Sequence, residues 1–258
     1  MVDSSSTSAH LTKLIPFSTL FKNTWQIYRS RIVVFTEIML FPVIFTIITY
    51  IITISLFSFW GSLFWTVLIA ILLTISSIFL QLLAYPTLIY CTKEKLGLID
   101  SIKLALHKFL PFFAVFLLTS LISIIGFAFL VIPGVIFIIW FSVAIYVLIY
   151  EEQKIIASLK KSRELIRGYF LPILLRLLAA YGIIAAITYM ILIPISLMGR
   201  IDPSIFSESN LVFLVFHVNK FNALNFTLNN LFDIIFTPLL IVFSIQIYHD
   251  LKRIKGEK

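Results

Sequence analysis

The stretch that decides the fold runs from Ile38 to Thr92 and reads IMLFPVIFTIITYIITISLFSFWGSLFWTVLIAILLTISSIFLQLLAYPTLIYCT. Its 55 residues contain no Asp, Glu, Lys or Arg. A membrane-spanning helix needs only about 20 apolar residues, so this stretch is long enough for two spans. The break is best placed at Trp60-Gly61-Ser62, and this position predicts spans at 32–58 and 63–90.

The composition of the whole chain points to the same class of protein. Of its 258 residues, 60% are hydrophobic and only 12% are charged, whereas a soluble domain carries about 25% charged residues. Because so little polar surface cannot coat a soluble globule, we expect lipid to be the solvent. The single cysteine excludes a disulfide framework within the chain and a cysteine-rich metal site.

Two further pairs of apolar stretches follow. A charge-free run over 109–150 divides at the turn dipeptide Pro133-Gly134. Backbone polar groups in hydrocarbon must bond internally, and these stretches are too long and too uniformly apolar for barrel strands. We therefore predict an all-α polytopic membrane protein with six transmembrane helices in three hairpins. The four remaining spans are predicted at 109–131, 134–150, 169–197 and 231–249.

The predicted spans lie in a single transmembrane domain over residues 11–254. We expect a disordered tail at 1–10, which is polar and rich in serine, and a cytoplasmic tail at 255–258. The apolar segment Leu211-Val212-Phe213-Leu214-Val215-Phe216 falls between the last two spans and is too short to cross the membrane. It is expected to lie at the outer interface, with a re-entrant segment as the alternative.

The basic residues predict the orientation of the chain. Only Arg200 and Lys220 fall on one side of the predicted membrane, and 17 basic residues fall on the other. The positive-inside rule then places both termini in the cytoplasm of a multi-pass protein of the inner or plasma membrane. This distribution explains the net charge of +8 without nucleic acid, and it makes anionic headgroups at the cytoplasmic face the expected partners. The 17 residues are Lys13, Lys22, Arg29, Arg31, Lys93, Lys95, Lys103, Lys108, Lys154, Lys160, Lys161, Arg163, Arg167, Lys252, Arg253, Lys255 and Lys258.

Cytoplasmic stretches before the odd-numbered spans resemble one another. Each has apolar side chains at helical spacing and basic residues on the other face, which predicts amphipathic helices on the inner leaflet. A three-fold pseudo-repeat of such a helix and a hairpin explains the pattern, although helical stripes also recur for physical reasons alone. The stripes are Phe21, Trp25, Tyr28 and Ile32; Ile99, Ile102, Leu106 and Phe109; and Ile155, Leu159, Ser162 and Ile166.

Three segments resemble a known bacterial family. They are Ile132-Pro133-Gly134-Val135, the stretch from Tyr150-Glu151 to Ala157-Ser158-Leu159-Lys160-Lys161-Ser162-Arg163-Glu164-Leu165, and the C-terminal Ile247-Tyr248-His249-Asp250-Leu251-Lys252-Arg253. Together they are similar to the membrane-protein family named after the membrane domain of glycerophosphodiester phosphodiesterases. The resemblance implies a membrane scaffold without the phosphodiesterase domain, and it transfers no catalytic residue.

Two charged residues fall nearest the predicted membrane interior. Glu37 and Arg176 would each lie about 8–9 Å from the cytoplasmic boundary. Intramembrane ionisable residues are expensive and often functional, so one hypothesis is a Glu37–Arg176 pair in a polar pocket open to the cytoplasm. The alternative is a structural pair, or two side chains that snorkel to the headgroups.

The remaining polar candidates are weaker. Asp233 lies near the outer end of the last span, where a helix N-terminus favours an acid. Gln81 is expected to join helices rather than bind a ligand. No metal or cofactor motif occurs, so we predict a non-enzymatic membrane scaffold or a lipid- or envelope-associated component. A transporter or lipid flippase-like protein with a pocket near Glu37 and Arg176 is the alternative.

Overall fold

The part of the chain that the computed structural model describes is almost entirely helical. That part covers residues 14–59, 63–198 and 211–256, with the backbone alone at 54, 57–59, 63, 195–198 and 211–225. No strand occurs within these ranges. The predicted break at 60–62, the tail at 1–10 and the last two residues of the chain lie outside them. The helices are α1 (Phe17–Ser30), α2 (Ile32–Phe59), α3 (Leu63–Glu94), α4 (Leu98–His107), α5 (Phe109–Phe129), α6 (Val131–Phe141), α7 (Ala144–Glu151), α8 (Ile155–Ile166), α9 (Phe170–Met198) and α10 (Leu211–Ile254).

Six helical segments of the described chain are long and apolar enough to cross a membrane. This confirms the predicted all-α polytopic class. Each segment matches one of the predicted apolar stretches, with α6 and α7 together forming the fourth. The six segments are Ile32–Thr53, Phe64–Glu94, Phe109–Phe129, Val131–Glu151, Phe170–Pro194 and Phe226–Ile254.

The turn between the third and fourth spans lies at Leu130, not at Pro133-Gly134. Leu130 is extended, with φ −167° and ψ 155°, and α6 begins at the next residue. Pro133 therefore sits in the first turn of a helix, where its missing N–H costs no intrahelical bond. The prediction of a turn at the Pro-Gly dipeptide was wrong because proline is as typical of a helix start as of a turn.

Gly134 allows this hairpin to close tightly. A Cβ added at Gly126 of α5 would lie 2.9 Å from the Cα atom of Gly134 and 2.7 Å from the ring of Phe137. A Cβ added at Gly134 would lie 2.5 Å from the ring of Phe127. Small residues at a membrane helix crossing let the two backbones approach, and the two glycines do so here.

The last helix is longer than the sequence predicts. Helix α10 has 44 residues and is continuous from Leu211 to Ile254, which makes it about 66 Å long at 1.5 Å per residue. The segment 211–216, expected to be interfacial or re-entrant, is the beginning of this helix. The helical backbone continues through the polar residues after Phe216, and the interfacial and re-entrant positions of 211–216 both stay predictions.

The chain divides into two compact units. Unit 1 comprises Met1–Phe35, Leu82–Ala179 and Pro238–Lys258, and unit 2 comprises Thr36–Gln81 and Ala180–Thr237. The single domain over 11–254 stays a prediction. In unit 1, the most deeply buried large side chains include Tyr248, Phe112, Ile166 and Leu251.

The short helices α1, α4 and α8 of unit 1 share a pattern. Their buried faces carry small hydroxyl side chains at Thr24, Ser101, Ser158 and Ser162, each with no exposed surface. Their exposed faces carry large apolar side chains. Small residues allow close helix packing, and exposed apolar side chains beside basic residues are typical of helices at a membrane interface. The exposed residues are Phe21, Trp25, Ile99, Leu106 and Ile156.

A matched pair of glycine substitutions tests the tight hairpin. We expect Gly126→Ala to destabilise the protein by about 1–3 kcal/mol, because the new methyl group meets the backbone of Gly134, which cannot move aside. Gly182→Ala on α9 meets nothing within 4 Å and should stabilise its helix by up to about 1 kcal/mol. Thermal unfolding in one detergent measures both. Equal melting temperatures for the two variants would contradict the close approach.

Candidate functional site

A buried carboxylate organises one end of unit 1. The side chain of Asp250 on α10 has no exposed surface. It lies 3.2 Å from the guanidinium of Arg176 on α9 and 2.7 Å from that of Arg253, one turn further along α10. The backbone N–H of Ile15 also donates to it at 2.9 Å. A buried carboxylate is tolerated when its oxygens accept such hydrogen bonds and its charge is paired, as both are here.

Arg176 bonds the same backbone segment as Asp250, at Ile15. Its guanidinium also donates to the carbonyl oxygen of Ile15, so Asp250 takes the N–H of that residue and Arg176 takes its C=O. Phe17 at the start of α1 adds an edge-to-face contact with Phe243, with ring centroids 5.8 Å apart. We call Ile15, Arg176, Asp250 and Arg253 the Asp250 clamp. It ties the segment that leads into α1 to α9 and α10.

The structure gives Arg176 the carboxylate of Asp250 as its partner. Glu37 lies on α2 in unit 2, where its side chain is exposed, and its pairing with Arg176 stays a prediction. Asp233 is exposed as well. It lies 22 residues after the start of α10 at Leu211, so the explanation that a helix N-terminus stabilises Asp233 was wrong.

Asp250 is the residue that the sequence analysis missed. Asp250 appears in the sequence analysis only within the segment quoted for the family resemblance, and the last span was predicted to end one residue before it. The signal was present in the helical spacing, because Phe243, Ile247, Asp250 and Leu251 follow the i, i+4, i+7, i+8 pattern of one helix face. All four residues are buried. The presence of an acid on this apolar helix face could therefore have predicted a buried carboxylate that needs a partner.

Polar groups also satisfy the ends of the spans in unit 1. Arg31 donates to the carbonyl oxygen of Cys91 at 2.6 Å, and Lys93 donates to that of Ile149 at 3.0 Å. Both carbonyls belong to the last turns of spans, where no intrahelical donor remains and a cation is favoured by the helix dipole. The basic residues that predict orientation therefore also cap helices.

The fourth span is broken in its interior. Ser142 and Val143 separate α6 from α7, and the carbonyl oxygen of Trp140 accepts a hydrogen bond from the hydroxyl of Ser162 on α8 at 2.7 Å. Arg163 lies over the ring of Trp140, 4.5 Å from its centroid. A break in a membrane helix is tolerated where neighbouring side chains bond the freed backbone groups, as Ser162 does here.

A small polar cluster joins α2 and α3 within unit 2. The hydroxyls of Thr46 and Ser77 are 2.6 Å apart, and the amide of Gln81 donates to Thr46 at 3.0 Å. These contacts confirm that Gln81 joins helices. The buried hydroxyl of Thr49 has no hydrogen-bond partner among the described atoms. The cluster holds neutral groups only.

A cavity of about 200 Å³ opens at the ends of the second and fourth spans in unit 1. It carries one basic and one acidic side chain, a phenol and an amide, together with apolar side chains. The lining residues are Tyr90, Lys108, Pro111, Leu148, Ile149, Glu152 and Gln153. Within the described ranges, no group of three or more His, Cys, Asp and Glu residues could hold a metal ion.

Comparison with known proteins finds no matching protein family, no matching curated protein and no matching solved structure.

The two arginines of the Asp250 clamp provide a matched test of its role. We expect Arg176→Leu to destabilise the protein by about 3–5 kcal/mol, because it leaves a buried carboxylate without its buried partner. Arg253→Leu removes a cation whose side chain is 43% exposed and leaves Arg176 on the carboxylate, so it should cost less, about 1–2 kcal/mol. Thermal unfolding in detergent measures both effects. Similar losses for the two variants would show that burial does not set the strength of these contacts.

Proposed function

We propose that this integral membrane protein is a non-enzymatic component of the cell membrane, with both termini in the cytoplasm. It acts through contacts with lipids and partner proteins rather than by chemistry on a substrate. The observation that carries the proposal is the bonding of Arg176 within the protein. Arg176 is the basic residue deepest in any predicted span. Arg176 is engaged by Asp250 and by the backbone of Ile15, so its charge holds the fold together instead of facing a substrate.

The exposed surface of the spans supports the same proposal. In none of the six candidate spans is more than 44% of the most apolar window buried, and in Phe170–Pro194 the share is 11%. Large apolar side chains such as Phe64, Leu110 and Met190 are at least 69% exposed. Such surfaces must be covered by lipid or by other membrane helices. This surface offers a large area for the contacts with lipids and partner helices that a scaffold uses.

The resemblance to the membrane domain of glycerophosphodiester phosphodiesterases belongs to the same proposal. The C-terminal segment that carries part of it, Ile247–Arg253, contributes Asp250 and Arg253 to the clamp. A structural role for Asp250 in that segment supports a scaffold, because its charge then holds helices together instead of taking part in a reaction.

A transporter or lipid flippase-like function is the second candidate. The polar cluster of Thr46, Ser77 and Gln81 favours it, as does the break at Ser142 and Val143 in the fourth span. Discontinuous helices and polar groups near the middle of the bilayer are features of transporter binding sites. The cavity supports it less, because Tyr90 and Ile149 lie near the ends of their spans rather than at mid-membrane.

Water access to the polar cluster distinguishes the two candidates. A scaffold needs no water path, so Ser77→Cys in a Cys91→Ser background should remain unlabelled by a membrane-impermeant maleimide added to either side. Glu164→Cys, on the exposed face of α8, is the matched positive control in the same background. Labelling of Ser77→Cys at a rate comparable with that of Glu164→Cys would favour transport and overturn the scaffold proposal.

The orientation of the chain has its own test. In the same Cys91→Ser background, Leu130→Cys at the turn between the third and fourth spans should react with the impermeant maleimide in intact cells. Glu164→Cys should react only after the membrane is permeabilised, because α8 is expected on the cytoplasmic side. Mass shifts on a denaturing gel report both reactions. The reverse pattern would place the termini outside the cell and would leave the scaffold question open to the preceding test.

A further inference from the structure

The cavity of unit 1 lies where a membrane presents its headgroups. Tyr90 is four residues before the end of its span at Glu94, and Ile149 is two residues before the end of its span at Glu151. Tyrosines at such positions are typical of the interface between hydrocarbon and water. The volume of about 200 Å³ is below the roughly 300–1,000 Å³ of pockets that enclose drug-sized ligands. It therefore suits a headgroup rather than a whole lipid.

The basic residue of the cavity lining is suited to a phosphate. Lys108 contributes an ammonium group to the lining and is the N-cap residue of α5. Lys108 stands between the end of α4 and the start of α5, where the two helix dipoles oppose each other, so the attraction for a phosphate comes from the full positive charge of its side chain. Tyr90 also lines the cavity, and its phenol interacts electrostatically with Glu152 and Glu94.

The other charged group of the lining is suited to an ammonium. Glu152 caps the end of α7 in a left-handed conformation with φ 52°, which is uncommon for a residue other than glycine or asparagine. Its side chain is 71% exposed and lies 4.0 Å from the ammonium of Lys93, at the limit of an ion pair. The carboxylate is thus accessible from the cavity while a neighbouring cation limits its repulsion from membrane phosphates.

The lining distinguishes between two kinds of ammonium. Quaternary ammonium groups such as choline are bound by cages of several aromatic rings, whereas Tyr90 is the aromatic residue in this lining. A primary ammonium donates hydrogen bonds, and the carboxylate of Glu152 and the amide oxygen of Gln153 accept them. The charges of Lys108 and Glu152 also cancel, which favours a zwitterionic headgroup over an anionic one.

We propose that this cavity binds the headgroup of a phosphoethanolamine lipid, with the phosphate at Lys108 and the primary ammonium at Glu152 and Gln153. The proposal depends only on the protein's being an integral membrane protein. It holds for a scaffold, which would use the lipid as a structural partner, and equally for a transporter.

Native mass spectrometry of the full chain in detergent tests the site. The probes are phosphatidylethanolamine, phosphatidylcholine and phosphatidylglycerol with identical acyl chains, each titrated separately. We expect phosphatidylethanolamine to bind roughly tenfold more tightly than the other two, as one charge-assisted contact allows. Glu152→Gln should remove the preference over phosphatidylcholine, and Lys108→Gln should weaken binding of both zwitterionic lipids.

Matched controls change the same residue types outside the cavity. Glu164→Gln and Lys103→Gln, both exposed, should leave the lipid preference unchanged. A charge reversal, Glu152→Lys, guards against a variant that only disturbs folding, because it should shift the preference toward phosphatidylglycerol rather than abolish binding. Lysine already occupies the same left-handed conformation at Lys95.

Two results would overturn the proposal. One is equal binding of the three lipids, or a preference that survives both Glu152→Gln and Lys108→Gln. The other concerns the source of the phosphate: soluble glycerophosphoethanolamine should displace the lipid only at much higher concentration, because it lacks the acyl chains. Displacement at equal concentration would identify a free phosphate ester as the ligand instead of a lipid.

Discussion

Hydrocarbon offers no hydrogen bond to a peptide group, and the structure follows from this constraint. Inside each span the helix satisfies its own backbone hydrogen bonds. Unpaired N–H and C=O groups therefore occur only where a helix ends or breaks. Arg31, Lys93 and Ser162 each donate to a carbonyl at such a place. Two of these donors, Arg31 and Lys93, are among the basic residues that predict the orientation of the chain, so the same side chains also complete backbone bonding.

A buried charge needs bonding partners in the same way, and the Asp250 clamp provides them for Asp250. A buried ion pair is weak evidence for stability, since an apolar pair of the same shape often does as well. Its value is specificity, because an apolar contact can slide whereas Asp250 and Arg176 bond the N–H and the C=O of one residue, Ile15. A shift of one residue along the segment would leave both charges with the wrong backbone groups. The clamp thus fixes where the chain enters α1.

The sequence predicts the spans well because each span depends on local composition. Twenty apolar residues must become a helix in lipid whatever lies elsewhere in the chain. The clamp could not be predicted in the same way, since Ile15 and Asp250 are 235 residues apart and Arg176 and Asp250 are 74 apart. Contacts between residues so far apart in the sequence produce no periodic pattern along it. The turn at Leu130 was predicted at the wrong residues for a different reason. Proline is also common at helix starts, and glycine also allows close packing of helices.

The polar residues follow an order along the spans that bears on function. Glu37 lies about 8 Å after the start of its span, close enough to that end for its side chain to approach the headgroups. The cluster of Thr46, Ser77 and Gln81, by contrast, contains only neutral groups that bond one another. Recognition of a charged ligand needs a charge that is not already fully paired within the fold. Such charges occur here near the ends of spans, and this is the reason that we propose the cavity beside Lys108 and Glu152, rather than the polar cluster of unit 2, as the lipid site.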